Sequence, residues 1–306
     1  MRKSTLVSLL LLLLLLLVFG SCKKTRIAET LPTLNVGMMS AVDAAPFYLA
    51  LESGYFTEQG VDAQLILFTN GQNRQTALQT GQVDGAMTDL VALITQSANA
   101  FKLVGTLSTD GDFPLLAKSE IQGSTTLSVG TMEISVTNYL VEQYLGTDHT
   151  LEKVYINEIP ARLEAVASGQ LDAGIFPEPF ASVGAMRGLQ KIIFSGIPAE
   201  SLNIIAFTEA AIQEKQEALT AFHRAYAQAV KDIRQDPSLA KAMIMKYIPN
   251  LPAEVEEFIQ LPTYHAPRLP SDEFVSQIMD WTSSVTKQSY AFGTERLLNR
   301  SFIEGL

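Results

Sequence analysis

Apolar residues in this chain come in short runs, and two periods alternate along it. Thr33-Leu-Asn-Val-Gly-Met38, Val61-Asp-Ala-Gln-Leu-Ile-Leu-Phe68 and Thr126-Leu-Ser-Val-Gly130 are too short for helices and predict buried strands. Between and after them stand residues spaced for one face of a helix: Leu49, Ala50 and Leu51 behind Pro46, then Leu140, Val141, Tyr144 and Leu145, then Leu219, Phe222, Tyr226, Val230 and Ile233 up to Asp236-Pro237. Pro46 suits a first helical turn, and Asp236-Pro237 suits a stop. Strands alternating with helices predict an α/β fold. The C-terminal part, through Trp281, is assigned to helices packing on the first lobe of that fold.

One stretch is nearly said twice. Thr80-Gly-Gln-Val-Asp84 returns as Ser168-Gly-Gln-Leu-Asp172 at an offset of 88 residues, and the same offset carries Arg74 onto Arg162. Each copy reads as a helix end, a glycine stop, a polar turn and a small apolar strand, Gly85-Ala-Met87 or Ala173-Gly-Ile-Phe176. Gly81 and Gly169 stand where a helix commonly closes with a left-handed residue. Two such units ninety residues apart predict two similar α/β lobes rather than a solenoid. Ligands of such sheets sit at the carboxyl ends of strands, here Thr88-Asp89 and Phe176-Pro-Glu-Pro-Phe180. Asp84 and Asp172, at matched places, read as turn residues bonding nearby backbone amides.

Residues 1–21 carry an export signal: Arg2 and Lys3, a leucine run from Leu9 to Leu17, then Phe19-Gly-Ser-Cys22. The run is too short for an ordinary membrane-spanning helix. Small residues before the only cysteine resemble a bacterial lipobox, with Cys22 as the lipidated residue; a plain secretory signal with an incidental cysteine is the other reading. Residues 22–32 read as a polar tether. Loss of Arg2 and Lys3 from 22 basic side chains leaves 20 against 32 acidic ones, a net charge of −12. That balance argues against nucleic acid or an anionic membrane surface as a partner.

Pro46-Phe-Tyr-Leu-Ala50, Gly54-Tyr-Phe56, Glu58-Gln-Gly60 and the two repeated turns, the second with Glu178-Pro-Phe180, resemble the substrate-binding proteins of ABC importers for nitrate, aliphatic sulfonates, taurine and thiamine precursors. The resemblance covers about residues 33 to 290. It implies a type II periplasmic binding protein: two α/β lobes, a two-crossing hinge and a cleft that closes on a small solute. Its partners would be an ABC permease and its ATPase, with a membrane link through the lipid, no nucleic acid, no cofactor and a monomeric state. The crossings are expected near Leu116–Gly123 and Leu202–Thr208, giving lobe 1 as residues 33–118 and 208–306 and lobe 2 as 119–207.

The ligand positions expected on the strand-end loops are Ser40, Asp43, Phe47, Asn70, Thr88 and Asp89 from the first lobe. Thr131, Ser135, Thr137, Phe176 and Glu178 are expected from the second, with Asn203 at the return crossing. Thr131, Ser135 and Thr137 stand at a helix start, where free amides receive an anion or polar head group, or where the hydroxyls simply cap the helix. Asp89 and Glu178 are expected to face the cleft from opposite lobes, with Asp43, Asp110, Asp112 and Glu133 on other strand-end loops. Such an acidic lining favours a ligand with cationic or hydrogen-donor groups, such as an aminopyrimidine thiamine precursor, over a sulfonate or nitrate. Glu178, held between Pro177 and Pro179, is expected to be a rigid ligand donor, or else to hold the lobe together through backbone amides.

Catalytic patterns do not stand out. His149, His223 and His265 show no metal-ligand spacing, and His223, between Phe222 and Tyr226, is expected to be a packed side chain. There is no Gly-x-Ser-x-Gly elbow, Walker loop or dinucleotide fingerprint. The competing classes are an enzyme on the same fold, of menaquinone-pathway or pyrimidine-synthesising type, and a sensor or adhesion lipoprotein.

Overall fold

The computed structural model describes residues 30–306 apart from 99–100, 119, 122, 195 and 197–199. The expected export signal, Cys22 and most of the tether lie outside the described residues. Among the described residues, no helix is long and apolar enough to cross a membrane.

The first half-lobe runs β1 (Thr33–Met39), α1 (Ala45–Glu52), α2 (Tyr55–Gln59), β2 (Asp62–Phe68), α3 (Gly71–Gln79), β3 (Gly85–Asp89), α4 (Leu90–Ser97) and β4 (Leu103–Thr109). The chain then builds β5 (Leu115–Ala117), β6 (Thr126–Thr131), α5 (Val136–Leu145), β7 (Thr150–Tyr155), α6 (Ile159–Ser168), β8 (Ala173–Ile175), α7 (Phe180–Met186) and β9 (Gln190–Ile192). It returns as β10 (Asn203–Thr208), α8 (Glu209–Glu214), α9 (Gln216–Gln235), α10 (Ser238–Tyr247) and α11 (Asp272–Thr286).

Two five-stranded sheets result, with orders β2-β1-β3-β10-β4 and β7-β6-β8-β5-β9. β1 lies between parallel β2 and β3 in one sheet and β6 between parallel β7 and β8 in the other, and in each one antiparallel strand is inserted next, ahead of the edge strand on that side. The antiparallel strand is β10 in one sheet and β5 in the other, and each is laid down as the chain arrives from the opposite lobe.

That arrangement moves both expected crossings. Leu116 already belongs to the second sheet, and Leu202–Thr208 is not a hinge but the approach to β10 and the strand itself. Ile204, Ile205, Ala206 and Phe207 are all fully buried and paired on both edges, which a connecting segment exposed to solvent is not. The crossings fall instead between β4 and β5 and between β9 and β10, so the second lobe spans β5 to β9.

The C-terminal helices pack as expected on the first lobe. Leu219, Phe222, Tyr226, Val230 and Ile233 of α9 bury one face against α1, α2 and β1. Phe47 sits inside this core, stacked on Phe222 at 5.4 Å and tilted against Tyr226 at 4.7 Å. The expectation that Phe47 meets a ligand is therefore corrected: α1 turns it away from the cleft and into the helix layer. His223 is the packed residue its position predicts, fully buried with Nδ1–H donating to Leu219 O and Nε2 accepting from Thr106 Oγ1.

Candidate functional site

The repeat is one device built twice. In lobe 1 the Asn35 N–H donates to Asp84 Oδ2 at 2.8 Å, and the Asp84 N–H returns to Asn35 O at 2.8 Å. In lobe 2 the Ser128 N–H donates to Asp172 Oδ2 at 2.8 Å, and the Asp172 N–H to Ser128 O at 3.1 Å. Both aspartates therefore lock the strand that follows them to its parallel neighbour, β3 to β1 and β8 to β6, rather than bonding amides of their own turn. The Ser128 hydroxyl and amide hold the Asp172 carboxyl below its ordinary pKa. Both helices close through left-handed glycines, Gly81 at φ 72° and Gly169 at φ 81°.

With the strands so fixed, their carboxyl ends meet between the lobes around a cavity of about 90 Å³, counted as space the centre of a water can reach. Met39, Met87, Phe113, Met132 and Ile159 give it apolar walls. Its polar groups are few, as in ligand sites generally. Ser40, Asp43, Arg74, Thr88, Asp89 and Asn203 come from lobe 1, and Ser135, Thr137 and Arg162 from lobe 2.

Asp43 Oδ2 accepts from Thr109 Oγ1 at 2.7 Å and from Asn203 Nδ2 at 3.1 Å. Burial raises its pKa to about 6, partly offset by the Thr109 bond. Its Oδ1 has no partner, and neither does Arg74 Nε nor Thr88 Oγ1, all three buried. Asp89 is fully engaged: Oδ1 accepts the Ala92 N–H at 2.8 Å, capping α4, and Oδ2 accepts Ser135 Oγ from lobe 2 at 3.1 Å. The Val136 amide is a third donor to it, and the Arg74 charge also favours the carboxylate, although burial pushes its pKa up overall. Ser135 is the N-cap of α5, accepting the Thr137 N–H at 3.2 Å.

Seven of the twelve expected ligand positions thus line the cavity: Ser40, Asp43, Thr88, Asp89, Ser135, Thr137 and Asn203. Five do not. Besides Phe47, Thr131 is fully buried and donates to Thr137 Oγ1 inside lobe 2. Asn70 caps α3 and donates to Glu158 Oε1 of lobe 2 at 2.8 Å, bridging the lobes beside the cavity. Phe176 is buried beneath the Arg162 guanidinium, 5.1 Å from its ring centre. Glu178, buried as its setting suggests, is taken up by Lys191 and by the Ser182 N–H at 3.0 Å, so it holds the lobe together. Asp110, Asp112 and Glu133 also lie off the cavity wall, and Asp110 is paired with Arg268 and His265.

The sequence reading left Arg74 and Arg162 out of the site, although the repeat marks both. Arg162 Nε donates to Ile175 O at 3.1 Å and Nη1 to Ile156 O at 2.5 Å, and burial lowers its pKa to about 10. Two guanidiniums and two carboxylates line the cavity, which removes the acidic bias expected of it.

Two α/β lobes, crossed twice by the chain and enclosing a cavity at their strand ends, make this a periplasmic-binding-protein fold. A family model described as NMT1/THI5 like matches residues 41–240, and the chain belongs to that family. Among solved structures, the ligand-binding component of an ABC-type import system from Staphylococcus aureus, with zinc bound, matches with TM-score 0.77 and 12% identity, covering 90% of this chain and 98% of that one. The periplasmic aliphatic sulphonate binding protein SsuA from Escherichia coli matches with TM-score 0.70 and 15% identity over 90% and 95%. The periplasmic nitrate-binding protein NrtA from Synechocystis PCC 6803 matches with TM-score 0.63 and 12% identity over 85% and 86%. At such identities the likeness shows the fold. No curated protein matches the chain.

Proposed function

We propose that the protein is the solute-binding component of an ABC importer, exported and held to a bacterial membrane by a lipid on Cys22. It captures one small polar solute between its lobes and hands it to a permease unchanged. The observation that carries this reading is the interlobe cavity with three buried, unpartnered polar atoms on its wall, Asp43 Oδ1, Arg74 Nε and Thr88 Oγ1. An unpaired buried polar group costs about 1–3 kcal/mol, and a solute entering the cavity supplies the missing partners. Burial between lobes gives affinity, and closure gives the permease a distinct shape to recognise.

Family membership and the fold of import-system neighbours support the reading. Among the described residues, the hydroxyls and carboxylates of the cavity wall have no histidine, cysteine or lysine beside them on that wall to activate or replace a nucleophile. Incubating the protein with candidate solutes and analysing what is released separates the classes: a carrier returns its solute unaltered, and a changed product identifies an enzyme. Cys22→Ser tests the anchor, with loss of detergent-phase partitioning expected and wild-type partitioning contradicting it.

A further inference from the structure

The N-termini of α4 and α5 come from opposite lobes and point at one place. Helix N-termini present free amides and a positive dipole end, the ordinary seat of an anion. That seat is filled by the chain itself. The Asp89 carboxylate takes the Ala92 N–H of α4 with one oxygen and the Ser135 hydroxyl of α5 with the other, with the Val136 N–H as third donor. Three donors to one side chain favour its charged form.

Arg74 and Arg162 stand against Asp43 and Asp89, so the cavity is balanced before any solute enters. A buried charge without a counter-charge is costly, and a solute carrying a net charge would unbalance the closed cleft. Among the buried side-chain atoms of the wall, an acceptor, Asp43 Oδ1, a donor, Arg74 Nε, and the Thr88 hydroxyl have no hydrogen-bond partner. All three residues are more than nine-tenths buried.

We infer that Asp89 is the cleft's own anion and its specificity determinant: by filling the meeting point of the two helix N-termini, it restricts the closed cleft to a net-neutral solute bearing both a donor and an acceptor, and excludes small monoanions. The inference rests on the cleft being the solute site. It separates this chain's chemistry from that named for its sulphonate- and nitrate-binding structural neighbours.

Calorimetric titration with sodium nitrate and sodium methanesulfonate tests it, at about pH 8 so that Asp43 is ionised. Wild type is expected to give no saturable heat. Asp89→Asn keeps a capping oxygen but leaves the wall one positive charge in excess, and it should bind both anions at least about tenfold tighter than wild type. Saturable wild-type binding of either anion overturns the inference, as does an Asp89→Asn protein that is folded by circular dichroism and gains nothing. If Asp89→Asn does not fold, the wild-type titration and the solute released from native protein decide: a net-neutral molecule upholds the inference and an anion overturns it. Failure of the cleft reading has its own signature, an anion gain in Asp89→Asn that survives Arg74→Met, which would place the binding elsewhere and overturn both.

Discussion

Arg74 and Arg162 occupy the same place in the two copies of the repeat and live in opposite surroundings. Arg162 gives two hydrogen bonds to main-chain carbonyls and lies over the Phe176 ring. Arg74 is also buried and has no partner at Nε, and burial lowers its pKa, partly offset by the charge of Asp89. The residues after the repeated strands diverge in the same way: Asp89 joins the lobes across the cleft, whereas Glu178 is held by Lys191 and Ser182 within lobe 2. The repeat therefore supplies a scaffold twice: both arginines reach the cavity wall, but only the first copy leaves its arginine with an open donor and joins the lobes through its carboxylate.

Breaking that contrast should have unequal costs. Arg162→Met leaves two carbonyls without their donors and is expected to destabilise the protein by about 4 kcal/mol, with urea unfolding as the measure. Arg74→Met should destabilise less than Arg162→Met, because no bond at Nε is lost, yet weaken solute binding at least tenfold, or about 1.4 kcal/mol. Equal destabilisation by the two substitutions would erase the distinction between the copies.

A pH series separates the lobe 1 core from the cleft wall. Burial holds His223 down to about 4 from 6.5, so the unfolded chain takes up a proton before the folded one does, and stability is lost as pH falls through that window. The loss amounts to about 3 kcal/mol. Asp43, raised from 3.8 to about 6, acts in the opposite sense, contributing stability that is lost as pH rises between those values. His223→Gln should lose about 3 kcal/mol less than wild type between pH 6.5 and 4, and Asp43→Asn should remove the opposing slope. Unfolding midpoints that track wild type across the window would contradict both assignments.

Glu178→Gln leaves the mostly buried Lys191 ammonium without its counter-charge, and a loss of about 3 kcal/mol is expected, the mild end for a broken buried pair because the amide oxygen still accepts from Ser182. Solute affinity, measured well below the melting temperature, should stay near wild type. The smallest effect belongs to the exposed Asn70–Glu158 bridge. Glu158→Ala should shift the closing equilibrium by about 0.5 kcal/mol, read from the small-angle scattering radius of the solute-free protein.

Much of this was legible in the residues. The apolar periods gave the strands and helices, and the 88-residue echo gave two lobes and the strand ends where the cavity lies. Capping chemistry marked Ser135 as a residue at a helix start near that place, and the repeat marked Asp89 as a strand-end residue facing it. Sequence could not say which way side chains turn: Phe47 and Phe176 are as apolar as any cavity wall, yet their elements face the cores. Nor could it foresee that Lys191 would reach Glu178, since that pairing depends on β9 lying beside β5. The crossings were misplaced because Ile204 to Phe207, an unbroken apolar run, reads as a connector only until the antiparallel strand inserted in each sheet is known.

Trp281, the only tryptophan, stands at a second joint between the lobes. Its Nε1–H donates to Glu142 Oε2 of α5 at 2.6 Å, and its ring meets Tyr139 edge-on at 5.3 Å. Native mass spectrometry of protein purified from its own cells, paired with Trp281 emission before and after the solute is stripped, tests the central claim most directly. The account predicts one small, chemically unaltered molecule per chain and an emission change that reverses when that molecule is added back. A chain that binds nothing from a cell extract, or that returns its molecule transformed, would contradict it.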